Sequence, residues 1–150
     1  MNGHMKRFAL VLAVMLAASP PLLLGDPALA QAPLRDRMVG IWFGSGQPGD
    51  QSQMYIDHFN ADGSFRSEHR MCRFGKALDT PESGRWQMTG NILVIDIAIT
   101  GGRQLPRTDR YRVNAADGKT QDYTYLANNF GYKARKVDSK FQMPPCDLSS

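Results

Sequence analysis

Past residue 37 the chain never runs far without a turn signal: Asp62-Gly63, Gly90-Asn91, Asp117-Gly118 and Asn128-Asn129 punctuate it. Pairs of this kind accept the left-handed backbone that tight hairpins require. Between them lie short runs of β-branched and aromatic residues, with no helix-length apolar stripe. Short strands at regular spacing argue for an antiparallel all-β fold. Strands are expected over roughly 38–44, 51–61, 64–73, 83–89, 92–100, 107–114, 119–127 and 130–137, eight in all, forming an antiparallel sandwich or barrel. The last dozen residues contain Pro144-Pro145 and read as an irregular tail. Pro106 lacks a ladder donor and should mark a strand start or an edge.

Folding the chain at its turns gives pairings. At Gly90-Asn91, Thr89 meets Ile92, Met88 meets Leu93, Trp86 meets Ile95 and Arg85 meets Asp96. Apolar side chains share one face and opposite charges the other, which favours this register. At Asn128-Asn129, Tyr125 meets Tyr132 and Asp122 meets Arg135. At Asp62-Gly63 two registers compete. A two-residue turn, the preferred one, pairs Met54 with Met71, Ile56 with His69 and His58 with Ser67. It turns Met54, Ile56, Phe65 and Met71 inward, with Tyr55, Asp57, Phe59 and Cys72 outward. A longer turn with a left-handed Gly63 pairs Phe59 with Phe65 and separates His58 from His69.

The front of the chain has a different character. Lys6 and Arg7 precede an apolar run from Phe8 to Ala18, Pro20-Pro21 breaks it, and Ala28-Leu29-Ala30 follows. A basic start, a short apolar centre and an A-x-A end describe a secretory signal peptide. The run is too short for a membrane span. Residues 1–30 are therefore expected to be removed, 31–37 to form a flexible leader, and 38–150 to form one domain with its tail, periplasmic or secreted. The two cysteines, Cys72 and Cys146, then suit a disulfide. The net charge of +4 is spread among acids, with no basic run interleaved with aromatics, so nucleic acid is not an expected partner.

These features in this order resemble the lipocalin-like (calycin) families. They are more closely similar to short lipocalin-like domains of secreted bacterial proteins. The likeness rests on Gly40-Ile41-Trp42 at the first strand, on Phe59-Asn60-Ala61-Asp62-Gly63-Ser64-Phe65 at a hairpin, and on Gly84-Arg85-Trp86 ahead of Gly90-Asn91. It implies an all-β, eight-stranded antiparallel up-and-down barrel that carries small apolar ligands, Trp42 as a plug at the base, and Gly40 allowing close backbone approach. It also implies a basic residue over Trp42, with Lys133, Arg135 and Lys136 as the candidates. The stretch from Val137 to Ser150 departs from the pattern, being too short and Pro-broken for the usual helix.

The pairings gather His58, His69, Trp86, Tyr111, Tyr125 and Tyr132 on an inward face as candidate ligand-binding residues. Trp42 and Trp86 are expected to be core pieces, each with a partner for its indole N–H; Gly40 and Gly84 clear space two residues earlier. An apolar-aromatic cavity with a few hydroxyls suits a small amphipathic or apolar molecule; the alternative is a structural barrel with a filled core whose tyrosines reach water at the rim. Two imidazoles without a third ligand make a poor metal site, and no serine sits in a nucleophile elbow. No metal, cofactor or enzymatic activity is expected. A second reading comes from secreted bacterial metalloprotease inhibitors, small disulfide-bonded barrels that insert an N-terminal segment into a protease cleft; residues 31–37 would take that part. N-terminal sequencing of the exported protein should begin at Gln31; a start elsewhere would displace the assigned cleavage site.

Overall fold

Eight strands follow one another around a closed, all-antiparallel ring in simple chain order. The structure, a computed structural model, describes residues 32–47 and 50–146, so the signal-like segment and its cleavage site lie outside the described residues. A short helix α1 (Leu34–Met38) leads into β1 (Gly40–Gln47), β2 (Asp50–Phe59), β3 (Ser64–Arg73) and β4 (Lys76–Thr89). Then come β5 (Ile92–Thr100), β6 (Arg103–Ala116), β7 (Thr120–Tyr125) and β8 (Gly131–Val137). β8 pairs back onto β1, with Trp42 opposite Lys136, which closes the ring and removes sheet edges. β4 and β6 begin earlier than the turn signals suggest. Pro106 lies inside β6, where the β5–β6 register shifts between Ile97 and Ile99; a bulge accommodates the missing donor there.

The β4–β5 hairpin has the expected register: Thr89 opposite Ile92, Met88 opposite Leu93, Trp86 opposite Ile95, Arg85 opposite Asp96. The β2–β3 hairpin does not take the preferred register. Phe59 pairs with Phe65, Asp57 with Ser67 and Tyr55 with His69. The Gly63 N–H bonds the Asn60 carbonyl at 3.0 Å, and Gly63 is left-handed at φ 81°, so the longer turn has won. Asp62 Oδ1 fastens it by accepting the Ser64 N–H at 2.8 Å. This one-residue change reverses β2: Tyr55, Asp57 and Phe59 point inward, while Met54, Ile56 and His58 point outward. At the β7–β8 turn the register moves by two. Tyr123, not Tyr125, opposes Tyr132, and Asp122 opposes Lys133, not Arg135. The Tyr125 N–H bonds the Phe130 carbonyl at 2.8 Å, so four residues turn instead of two, and the faces are preserved.

The base of the barrel is solid. Met38, Trp42, Phe59, Phe65, Trp86, Leu93 and Val113 form one buried cluster there. Trp42 donates its indole N–H to the Met38 carbonyl at 2.7 Å, and Trp86 donates to the Asn60 carbonyl at 2.8 Å. Lys136 is the basic residue over Trp42, with Nζ 5.4 Å from the ring centroid and 3.0 Å from the Val39 carbonyl. Gly40 admits that lysine: its φ of +142° suits glycine, and an added Cβ would meet Lys136 Cε. Residues 34–37 are not a loose leader. Arg35 lies over Trp86 at 4.9 Å and bonds the Ala61 carbonyl, Arg37 bonds the Ala116 carbonyl, and Leu34 packs on the core.

The tail is tied outside. Phe141 packs on Phe43 at 4.9 Å, Arg70 donates to the Met143 and Pro144 carbonyls, and Cys146 reaches Cys72 in a disulfide. The tail thus crosses the outer face of β1, β2 and β3, which accounts for buried Phe43 and Ile56 on that face.

Gly84 gives a direct test of this packing. A Cβ there would fall on the Asp96 carbonyl oxygen across the β4–β5 bulge. Gly84→Ala should destabilise the fold by about 2 kcal/mol, the usual scale of overpacking. Gly131→Ala, which meets nothing within 4 Å, should shift the urea midpoint little.

Candidate functional site

The turns joining β2 to β3, β4 to β5 and β6 to β7 lie at the base end, and the interior changes character toward the opposite end, the mouth. Above Phe59, Leu93 and Ile95 the walls become polar-aromatic. A cavity of about 30 Å³ is lined by Asp57, His69, Tyr55, Tyr111, Tyr123 and Tyr132 over that floor. A larger opening of about 150 Å³ shares Tyr55, His69, Tyr111 and Tyr132 with it and adds Met54, Met71, Leu78 and Thr80. The inner space has room for one water-sized group.

The tyrosines form a box. Tyr123 and Tyr132 stack at 5.6 Å with their planes 3° apart, and Tyr111 stands edge-on to both, at 5.4 and 6.0 Å. Tyr55 meets Tyr132 at 6.2 Å, and the Tyr123 hydroxyl donates to the Tyr55 hydroxyl at 2.8 Å. Tyr55 can lie across β1 only because Gly44 is there; a Cβ at that position would strike its ring. Among the described residues the Tyr111 and Tyr132 hydroxyls have no hydrogen-bond partner. Burial, first of all, raises the pKa of Tyr55, Tyr111, Tyr123 and Tyr132, so all four stay neutral phenols at physiological pH.

Beside this box runs a chain of charges. Arg107 grips Glu82 with two bonds of 2.7 Å each and reaches Asp109 at 3.0 Å. Tyr125 donates to Asp109 at 3.0 Å, and His69 Nε2 lies 3.4 Å from Glu82. Burial would raise the Glu82 pKa, but the bonds from His69 and Arg107 outweigh it and hold the carboxyl at about 2. For His69, burial favours the neutral ring, yet the Glu82 bond and the Asp57 and Glu82 charges prevail and raise its pKa. Asp57 is the exception. It is 7 % exposed, and its one hydrogen bond among the described residues comes from the Ser67 hydroxyl at 2.5 Å. Burial pushes its pKa up to about 6 against the opposing pull of His69 and Ser67.

The structure therefore brings together His69, Tyr111 and Tyr132 at the cavity, with Tyr125 beside them, its ring 4.9 Å from Tyr111. It does not bring His58 there: that ring points outward, opposite Arg66. Trp86 lies in the sealed base, against Phe59 at 5.2 Å. Asp57, Tyr55, Glu82 and Arg107 are the residues that sequence reasoning missed. The first two were turned outward by the wrong hairpin register, and a strand alternating Tyr55, Asp57, Phe59 was the available signal. Among the described residues no group of three His, Cys, Asp or Glu side chains is arranged to hold a metal ion. No family model matches the chain.

Asp57 and Glu82 act on stability with opposite signs. Glu82 is depressed on folding, so its contribution is present above about pH 4.5 and lost as pH falls toward 2. Asp57 is raised from 3.8 to about 6, so its ionisation opposes folding increasingly across that interval. Two units correspond to an opposition of about 3 kcal/mol at neutral pH. Asp57→Asn should accordingly stabilise the fold at pH 8, by on the order of 1–3 kcal/mol, and the gain should vanish near pH 4. Urea denaturation of both proteins at the two pH values checks this; a pH-independent loss would refute it.

Proposed function

We propose that this chain is an exported binding protein, a short barrel of calycin type that takes up a small amphipathic molecule at its mouth. The observation that carries this reading is the junction of two spaces. The 150 Å³ opening and the 30 Å³ polar cavity share four aromatic or imidazole walls. An entrance that sets Met71 and Leu78 beside Arg70 and Thr80, above a few convergent polar groups, suits a small amphipathic molecule. Phe74, Leu78, Leu105 and Phe130 stand exposed around the mouth and extend its apolar rim. The base is filled with side chains, so the ligand sits high and is small. Its polar end would face the free hydroxyls of Tyr111 and Tyr132, and its apolar end would lie against Met71 and Leu78. Residues 34–37 pack against the base, which favours this reading over a protease-inhibiting N-terminus that would need them free.

Native mass spectrometry of protein recovered after export, with displacement of a lipophilic fluorophore by a broad panel of small molecules, tests the reading. Tyr132→Ala should weaken binding about tenfold, the scale of one lost aromatic contact worth about 1.4 kcal/mol. His58→Gln, on the outer face, should leave it unchanged. Absence of any retained or displacing molecule would overturn the proposal.

A further inference from the structure

The 30 Å³ cavity has a charge balance that selects among ligands, and its selection can be read from every strand around it. β2 contributes Tyr55 and Asp57, β3 Ser67 and His69, and β4 Glu82. β6 contributes Arg107, Asp109 and Tyr111, β7 Tyr123 and β8 Tyr132. β5 faces it with Leu93 and Ile95, which carry no charge. Three carboxylates thus stand against Arg107 and a protonatable His69. Arg107 is already committed to Glu82 and Asp109, and His69 to Glu82. Among the described residues Asp57 is hydrogen-bonded only by a neutral hydroxyl, and the one cation that acts on it, His69, is shared with Glu82.

An anionic ligand end would meet this surplus of negative charge among four phenol rings. A neutral apolar end would leave Asp57 buried with no counter-charge beyond the shared His69, which is costly. An ammonium group answers both: it pairs with the carboxylate and is attracted by the ring faces. We infer that the ligand is a small primary ammonium compound, its charged head seated between Asp57 and the tyrosine box and its short alkyl or arylalkyl tail in the mouth. This rests on the reading of the chain as a small-molecule binder and gives that ligand its chemical class. The Arg70 guanidinium, on the mouth wall, does not contradict it, because two bonds of 2.7 Å already tie it to Asp79.

Binding should also weaken in acid. Protonation of Asp57 removes the attraction, and protonation of His69 adds repulsion, so both act in one direction. His69→Gln separates the two, since the Asp57 part alone then remains.

The test is a titration of the disulfide-intact exported protein with phenethylammonium, 2-phenylethanol and 3-phenylpropanoate, and with butylammonium, butanol and butyrate. Each ammonium should bind at least tenfold more tightly than its neutral and anionic partners at pH 7.5. That preference should disappear in Asp57→Asn, and it should fall severalfold in Tyr111→Ala, which keeps the proposal testable should the first variant fail to fold. Ammonium affinity should drop at least tenfold between pH 7.5 and 5. If an alcohol or carboxylate binds as tightly, the ammonium class is wrong and the binding function stands. If ammonium binding survives both substitutions, the site is wrong. If neither series nor the broad fluorophore panel binds, the binding function itself falls.

Discussion

Closure of the ladder between β8 and β1 makes inside and outside a property of the whole ring. Each strand's facing must agree with both neighbours, so no strand can slip by one residue alone. Trp42 shows the coupling. It opposes Asp57 on one side and Lys136 on the other, and its indole is bonded to Met38 in α1. The plug therefore holds β1, β2, β8 and the helix in one register. An eight-stranded ring has little interior to spare. With Trp42, Phe59, Phe65 and Trp86 filling the base, open space remains only toward the mouth.

That division sets the chemistry. The base is dry and fully packed, so its contribution is stability. The upper half holds charges that would be unwelcome in an ordinary core. Arg107, Glu82, Asp109 and Tyr125 satisfy one another, and a network so complete stiffens the walls. Asp57 lacks such support and opposes folding at neutral pH. A group that lowers stability while facing a cavity is where physical reasoning places function, because stability and activity trade against each other.

Much of the fold was legible because its signals are local. Gly90-Asn91 makes a two-residue turn, and with both flanking strands cleanly alternating, Trp86 had to meet Ile95. The β2–β3 hairpin was not legible, for a specific reason. Met54 and Ile56 lie on one face and Tyr55 and Phe59 on the other, so both faces of β2 read as buried. Tyr55 and Phe59 are buried in the core, and Ile56 is buried on the other face, where the tail from Phe141 to Cys146 crosses. Alternation cannot decide a register when a distant segment covers the outer face. The candidate site inherited this ambiguity. His69, Tyr111 and Tyr132 could be placed from their own strands, whereas Asp57 could be found only once the turn at Asn60–Gly63 was known. At β7–β8 the miscounted turn was even in length, so the tyrosines kept their side while Arg135 lost Asp122. It lies instead over the rings of Phe43 and Phe141.

The strap formed by the last residues has a consequence for handling the molecule. The ring of ladders is complete by Val137, so cleaving the Cys72–Cys146 bond leaves the barrel's hydrogen bonding intact. What changes is the coat. With its far anchor gone, the strap can lift away from Phe43 and Ile56 and present a greasy stripe to neighbouring molecules. A chain kept in a reducing compartment would then be folded yet self-adhesive, and oxidation would act as the step that renders it well-behaved in solution.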